Sequence, residues 1–312
     1  MNKNNYHTHT ARCYHASGKD EEYVKAAIKA GIKELGFSDH TPWHYDSSFK
    51  ATMRMPENQL DGYIESILSL KEKYKDQISI LVGLECEYFE KHIPWLKQML
   101  EDKKMYYTQL LERGRINIPD KKLQEVYNWC KINTEWLAAD MESAGRFLGA
   151  GAIEYPWLFG CDNSYSLQGL VATGDQKLAK ETLRVIKEMS EKANGNGRIL
   201  HEMAFNAFVS HKGNTQETAH FVIAVWNVYK WTGDNKFLAD MYPYMQKGLN
   251  FLLKDMDTNK NMFPEGYGIM EVRGLNAELI DVSVYTQQAL EVMSQIALIM
   301  GEEAFASECA SQ

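Results

Sequence analysis

Residues 5–20 read NYHTHTARCYHASGKD and set down His7, His9 and His15 within nine positions. A His-x-His pair in or just after a β-strand brings two imidazoles to where both can reach one cation, and divalent transition metals favour such nitrogen donors. NYHTHT reads as such a strand, with His7 and His9 in or just after it. The segments downstream of it decide whether the histidines are part of a built site or of a surface loop.

Those segments alternate in character. EEYVKAAIKAGI (21–32) is helical, KELGFSDH (33–40) strand-like, DGYIESILSLKEKY (61–74) helical and ISILVGLECEYF (78–89) strand-like. This βαβαβ rhythm favours a parallel sheet or barrel, whose functional groups gather at the C-terminal ends of the strands and in the loops after them. His7 and His9, His40 after GFSD, and Glu85 after ILVG all fall at such places, with His15 close by. Five donors within one α/β unit suffice for more than one metal. Two cations sharing a hydroxide supply a nucleophile at neutral pH and neutralise phosphate oxygens in an in-line displacement, so phosphoester hydrolysis is the reaction expected. His44 and His92 are expected to be ordinary surface or half-buried histidines.

Composition narrows the class. The 312 residues are 45% hydrophobic, enough for one large core or two modest ones, and the net charge of −8 lacks long like-charge blocks. Nucleic acid and membrane are not expected as partners; a small phosphorylated metabolite or a carbohydrate fits better. The five cysteines, Cys13, Cys86, Cys130, Cys161 and Cys309, form no CxxC and no even framework, so a reducing cytoplasm is the expected setting. The start MNKNNYHTHT has no apolar leader core, and the longest apolar run, ISILVGL, is too short to span a bilayer.

After about residue 105 the rhythm changes, and no further convincing strand is expected. In NKFLADMYPYMQKGLNFLLKDM (235–256), Leu238, Met241, Met245, Leu249 and Leu252 recur at three- and four-residue steps, as one buried helix face requires. LVATGDQKLAKETL, VYKWTGDNKFLADM and ALIMGEEAFASECA each join one helix to the next through a glycine (Gly174, Gly233, Gly301) and an acidic residue. A repeat of this kind predicts stacked α-hairpins, the third of them cut short at Gln312. Trp129, Trp136 and Trp231 are expected in the core.

HTHT, ARCYHASG, ELGFSDHTP and ILVGLECEYF resemble the opening motifs of the polymerase-and-histidinol-phosphatase (PHP) superfamily, in the wording of its histidinol-phosphatase branch, over about residues 4–105. The resemblance implies a distorted seven-stranded β/α barrel with a two- or three-metal site that hydrolyses histidinol phosphate. It implies that His7, His9 and Glu85 hold one metal ion (zinc, manganese or iron), that Glu85 bridges, and that His15 and His40 serve the neighbouring metals. The later ligands of that family come from the second half of the barrel, which the sequence after 105 does not resemble, so an incomplete site is expected.

From YYTQLLERGRINIPDKKLQEVYNWCKINTEWL onward, over about 107–312, the chain resembles the six-hairpin (α/α)6 glycosidases of the glycogen-debranching or amylo-1,6-glucosidase type. PWLFGCD (156–162) places Trp157, Phe159 and Asp162 in a loop before a helix, where a flat ring meets sugar C–H groups and a carboxylate grips hydroxyls. The resemblance implies that Asp162 holds the terminal sugar and that Glu271, in GIMEVRGLN, is the general acid of an inverting mechanism. Glu278 in NAELID competes for that role, and Glu217 in NTQETAH could line the same cleft. For any of these carboxylates, capping a helix is the alternative reading.

The expectation is thus an α/β segment, 1–105, forming part of a PHP-type barrel, followed by an all-α segment, 106–312, forming part of an (α/α)6 toroid. The two would meet near Lys104–Tyr107 without a linker, as in a join of two truncated hydrolases. Either activity could be weak or lost, leaving a metal- or glucan-binding protein. Opened barrel edges predict self-association.

Overall fold

A computed structural model describes all residues except 1–2, 46, 88, 152–154, 269–271 and 273. The chain divides into two compact units, Met1–Glu101 and Asp102–Gln312.

In the first unit, β1 (Lys3–Thr8), α1 (Asp20–Lys29), β2 (Ile32–His40), α2 (Leu60–Lys73) and β3 (Ser79–Glu85) alternate as the rhythm predicts. The strands form a parallel sheet in the order β1-β2-β3. Leu35 and Phe37 of β2 and Ile80 of β3 are buried with Val24 of α1 and Tyr63, Ile67 and Leu70 of α2 in one core. Because strand side chains alternate, the residues between them, Gly36, Ser38 and His40, face the opposite side. Gly36 is needed there: a Cβ would sit 3.0 Å from the Cα of Tyr6, so β1 approaches β2 too closely for a larger residue. The register between β1 and β2 shifts between Asn5 and Thr8, around His7.

α3 (Ile93–Glu112) runs unbroken through Lys104–Tyr107 and carries the chain into the second unit. There α4 (Lys121–Trp136) is capped by Asp120, whose side chain accepts the N–H groups of Lys122 and Leu123. Strands were not expected beyond residue 105, yet β4 (Ala138–Met141) and β5 (Gly145–Leu148) form an antiparallel hairpin. Two four-residue strands are too short to show an alternating pattern, and their turn depends on Gly145 at φ 96°. Further short pairings join β6 (Leu158–Phe159) to β7 (Glu202–Met203) and β7 to β8 (Val209–His211), and β9 (Glu265–Gly266) to β10 (Ala277–Glu278).

The helices of this unit come in hairpins: α5 (Gly160–Ala172) with α6 (Gln176–Ala193), α7 (Gln216–Thr232) with α8 (Asn235–Asn250), and α9 (Ile280–Met300) with α10 (Glu303–Ser311). The Gly-acid joints explain the repeat. Gly233 and Gly301 close α7 and α9 in the left-handed conformation, and Asp175 and Asp234 then accept the N–H of Leu178 and of Phe237 to start α6 and α8. Glu302 departs from this pattern: its carboxylate accepts from Tyr242 and Gln246 of α8 instead. Leu238, Met241, Met245, Leu249 and Leu252 are all buried in the helical core, as their spacing predicts. The tryptophans are not. Trp129, Trp136 and Trp231 are each more than half exposed; Trp129 and Trp136, seven residues apart on one face of α4, meet edge to face at 5.3 Å instead of entering the core.

One buried group ties this unit's stability to pH. His220 of α7 is 3% exposed, with Cys161 Sγ 3.5 Å from Nδ1 and the Tyr165 hydroxyl 3.4 Å from Nε2. Burial pushes its pKa down to about 4 from an ordinary 6.5. Between those values the unfolded chain takes up a proton that the folded one refuses, so stability is full above pH 6.5 and falls as the pH drops toward 4. The loss is on the order of 3 kcal/mol. Denaturant titrations of wild type and His220→Gln from pH 7 to 4 should show a shallower decline in the variant.

Candidate metal centre

The parallel register does the first work of assembly. It pairs Asp39 with Leu84 and His40 with Glu85, which puts an imidazole and a carboxylate side by side at the C-terminal ends of β2 and β3. His7 comes from β1 and His9 from just beyond it; His15 follows the short helical turn Ala11–Cys13. Glu85 Oε2 lies 3.1 Å from His7 Nε2, 3.2 Å from His9 Nε2 and 3.8 Å from His40 Nδ1. The rings of His9 and His15 and those of His9 and His40 are 4.8 Å apart between centroids, and those of His15 and His40 5.3 Å. All five sequence-derived donors are thus brought together, as two groups sharing His9: His7, His9 and Glu85, and His9, His15 and His40.

The donor atoms suit a cation. His9 Nδ1 and Glu85 Oε2 are buried without a hydrogen-bond partner among the described residues, although imidazole nitrogens lie within 4 Å of Glu85 Oε2. Buried polar atoms normally find such partners, and donors that crowd together without them are what a divalent ion would satisfy. Burial, reinforced by the neighbouring imidazoles, lowers the His9 pKa, which keeps this ring neutral and able to ligate. Cys13 and Asp39 also approach His9, but they are otherwise engaged. Burial raises the Cys13 thiol to about 11, and Asp39 spends both oxygens on Thr10.

That last contact fixes the loop. Asp39, fully buried, accepts the Thr10 N–H and the Thr10 hydroxyl, each at 2.5 Å. Since Thr10 follows His9 and Asp39 precedes His40, one carboxylate locks the two ligand-bearing segments together. His15 is oriented by its Nδ1, 2.8 Å from the Cys13 carbonyl, across Tyr14 in the left-handed conformation at φ 60°. Glu87 lies behind His40, with Oε1 2.9 Å from His40 Nδ1. It is held by two hydrogen bonds from Arg54, at 2.6 and 2.9 Å, and one from Trp43 Nε1 at 3.1 Å. Burial alone would raise the Glu87 pKa; the hydrogen bonds it accepts, those from Arg54 foremost, and the charge of Arg54 together outweigh burial and hold it at about 2. Sequence reading passed over Asp39, Glu87, Arg54 and Trp43. For two of them a signal was present: Glu87 is two residues from Glu85 in GLECEY, and Asp39 is next to His40 in SDH.

The residues expected to meet sugar are placed differently. Trp157 is half-buried, and Asp162 is exposed in the first turn of α5, not in the loop before it. Glu217, expected to line a cleft, is wholly buried: it bonds to His201 Nδ1 at 2.6 Å and accepts the Asn214 backbone N–H and side-chain amide. These bonds commit it to the interior. Glu278 is exposed in β10 and accepts from Asn259 and Asn261. Glu271 lies outside the described residues. No described helix is long and apolar enough to cross a membrane.

The sequence pattern of the PHP domain matches residues 5–195, more than half of the chain. The chain belongs to the PHP domain family. The match begins at the strand that carries His7 and runs past residue 105 through the β4–β5 hairpin and α5 to the end of α6. Among curated relatives, a probable histidinol-phosphatase of Deinococcus radiodurans is 38% identical over 85 residues, 26% of this chain and 31% of that protein. A probable histidinol-phosphatase of Schizosaccharomyces pombe is 34% identical over 88 residues, 26% of this chain and 29% of that protein. The histidinol-phosphatase of Bacillus subtilis is 33% identical over 92 residues, 28% of this chain and 34% of that protein. The PHP chain thus spans about a third of the length of these relatives.

If Glu87 steadies His40 in this PHP centre, Glu87→Gln should weaken divalent-metal affinity about tenfold to a hundredfold, the usual effect of losing an outer carboxylate. Chelator competition on wild type and variant measures it. Equal affinities would leave Glu87 a purely structural partner of Arg54.

Proposed function

We propose that the first unit carries the metal centre of a phosphomonoesterase of the histidinol-phosphatase type, acting on a small phosphorylated metabolite. The observation that carries the reading is the convergence of His7, His9, His15, His40 and Glu85 with buried donor atoms lacking hydrogen-bond partners. Similarity to proteins named histidinol-phosphatase supports it. His7, His9 and Glu85 would hold one ion and His15 and His40 a neighbouring one; nitrogen-rich donors of this kind suit zinc, manganese or iron. Bound cations would supply positive charge to the phosphate oxygens and acidify water for attack. The chain's own part is to hold the donors still: Asp39 through Thr10, and Arg54 through Glu87. In the net reaction, water oxygen bonds to phosphorus, the ester P–O bond breaks, and the departing alkoxide gains the proton.

Metal analysis of purified protein tests this, comparing wild type with His7→Ala/His9→Ala and measuring p-nitrophenyl phosphate turnover on the same samples. The wild type should hold divalent metal in stoichiometric amount and the double variant should lose both metal and turnover. Wild-type protein that binds no added zinc, manganese or iron overturns the reading.

For the second unit we propose α-glucan binding through Asp162, on the resemblance to six-hairpin glycosidases; its carboxylate is exposed and Trp157 is half-buried. Affinity electrophoresis in glycogen should retard the wild type more than Asp162→Asn. Unretarded wild type removes this reading.

A further inference from the structure

α4 turns its apolar side chains outward. Lys122, Val126, Trp129, Asn133 and Trp136 recur at four- and three-residue steps and so share one face of the helix, with Leu123 beside them. Leu123, Val126, Trp129 and Trp136 keep 58%, 57%, 55% and 57% of their surface open. We propose that this face is a dimer interface, on which α4 of a second copy of the chain lies antiparallel about a two-fold axis near Trp129.

The packing of α4 leaves this face in need of a cover. Lys131 is the buried residue of the helix, and it acts as a cap: its Nζ donates to the carbonyls of Leu111 and Arg113 at the end of α3. A helix of 16 residues draws most of its stability from burying an apolar face, and here that face is outside. Trp136 is suited to burial, because its Nε1 already donates to the Tyr107 hydroxyl at 2.9 Å. The four apolar side chains leave roughly 450 Å² uncovered, as much as the largest patch on a typical monomer. Two such faces together remove about 900 Å² of apolar surface, and a polar rim brings the total to the size of a specific interface.

Charge selects a second copy as the occupant and sets its direction. Past the capping Asp120, the first turn of α4 holds Lys121 and Lys122 and no acidic residue, and its last turn holds no basic residue. That is the reverse of what the helix dipole favours at either end. Asp140 and Glu142, both exposed, follow shortly after the C-terminal end of the helix. An antiparallel copy corrects both ends at once: its lysines reach the carbonyls and acids at this C-terminus, and it receives the same in return, as an isologous interface requires. Parallel pairing would set lysine against lysine. Since Lys122 and Trp136 lie seven residues to either side of Trp129, the same axis puts each Lys122 level with Trp136 of the second copy, whose ring face attracts an ammonium.

Sedimentation equilibrium of the full chain tests the interface. Wild type should dimerise at micromolar concentration, and Val126→Asp, a change at an exposed side chain in the middle of the stripe, should raise the dissociation constant on the order of a hundredfold. Lys121→Glu/Lys122→Glu reads the direction. Acids at a helix N-terminus should keep or raise resistance to denaturant in dilute, monomeric samples, while the dimer weakens about tenfold; a merely structural role for the lysines would move both in the same sense. Wild type that stays monomeric up to roughly 100 μM, where an interface of this size should form, overturns the proposal. A dimer that Val126→Asp leaves intact overturns the assignment to α4, and one that the lysine variant leaves intact or strengthens overturns the antiparallel pairing. If Val126→Asp does not fold, the lysine variant decides by itself.

Discussion

The cluster of five candidate metal donors depends on a single buried carboxylate that is not among them. Asp39 sits at the end of β2 with no exposed surface and accepts two short hydrogen bonds from Thr10. A buried carboxylate is costly unless each oxygen is bonded, and here the bonds come from the residue directly after His9. The requirement to satisfy Asp39 therefore also sets where His9 stands relative to His40. The neighbouring pairing of His40 with Glu85 follows from the β2–β3 register, which a one-residue slip would destroy by turning one of the two side chains to the other face.

Around that clamp the structure holds like-charged or potentially charged groups closer than they would rest in water. His7 and His9 bring their Nε2 atoms to 2.8 Å, which only one shared proton, or a cation, can make favourable. The lowered pKa of His9 has the same origin: burial first, then the field of the surrounding rings. With His9 disfavouring a proton, the clustered donors suit a cation. This preference links the fold of the first unit to the chemistry proposed for it.

The second unit is organised by a different constraint, the capping of successive helices. Gly233 and Asp234 end one helix and begin the next within two residues, which keeps α7 and α8 tightly joined so that the Leu238–Leu252 face is buried. Buried polar residues at the start of α7, Asn214 to Thr218 and His220, are tolerated because most of them bond to neighbours; the cost of His220 emerges only in acid. The PHP match reaches into this unit as far as residue 195, so a change in periodicity near residue 105 is not by itself a family boundary.

Periodicity and short motifs were sufficient to define the three parallel strands, the helix pairs and all five clustered donors, because hydrophobic spacing and donor types are written locally. Local reading failed where the deciding partner is distant in sequence. It missed the four-residue strands β4 and β5, and it sent Trp129 and Trp136 inward although they meet each other on an exposed face. It offered Glu217 to a sugar, whereas His201 and Asn214 claim it inside the fold. The sequence by itself determined which residues could bind a metal. Only the tertiary structure decided which of their atoms converge and which carboxylates are consumed as Asp39 and Glu87 are, because burial and hydrogen-bond satisfaction depend on segments that the chain brings together only by folding.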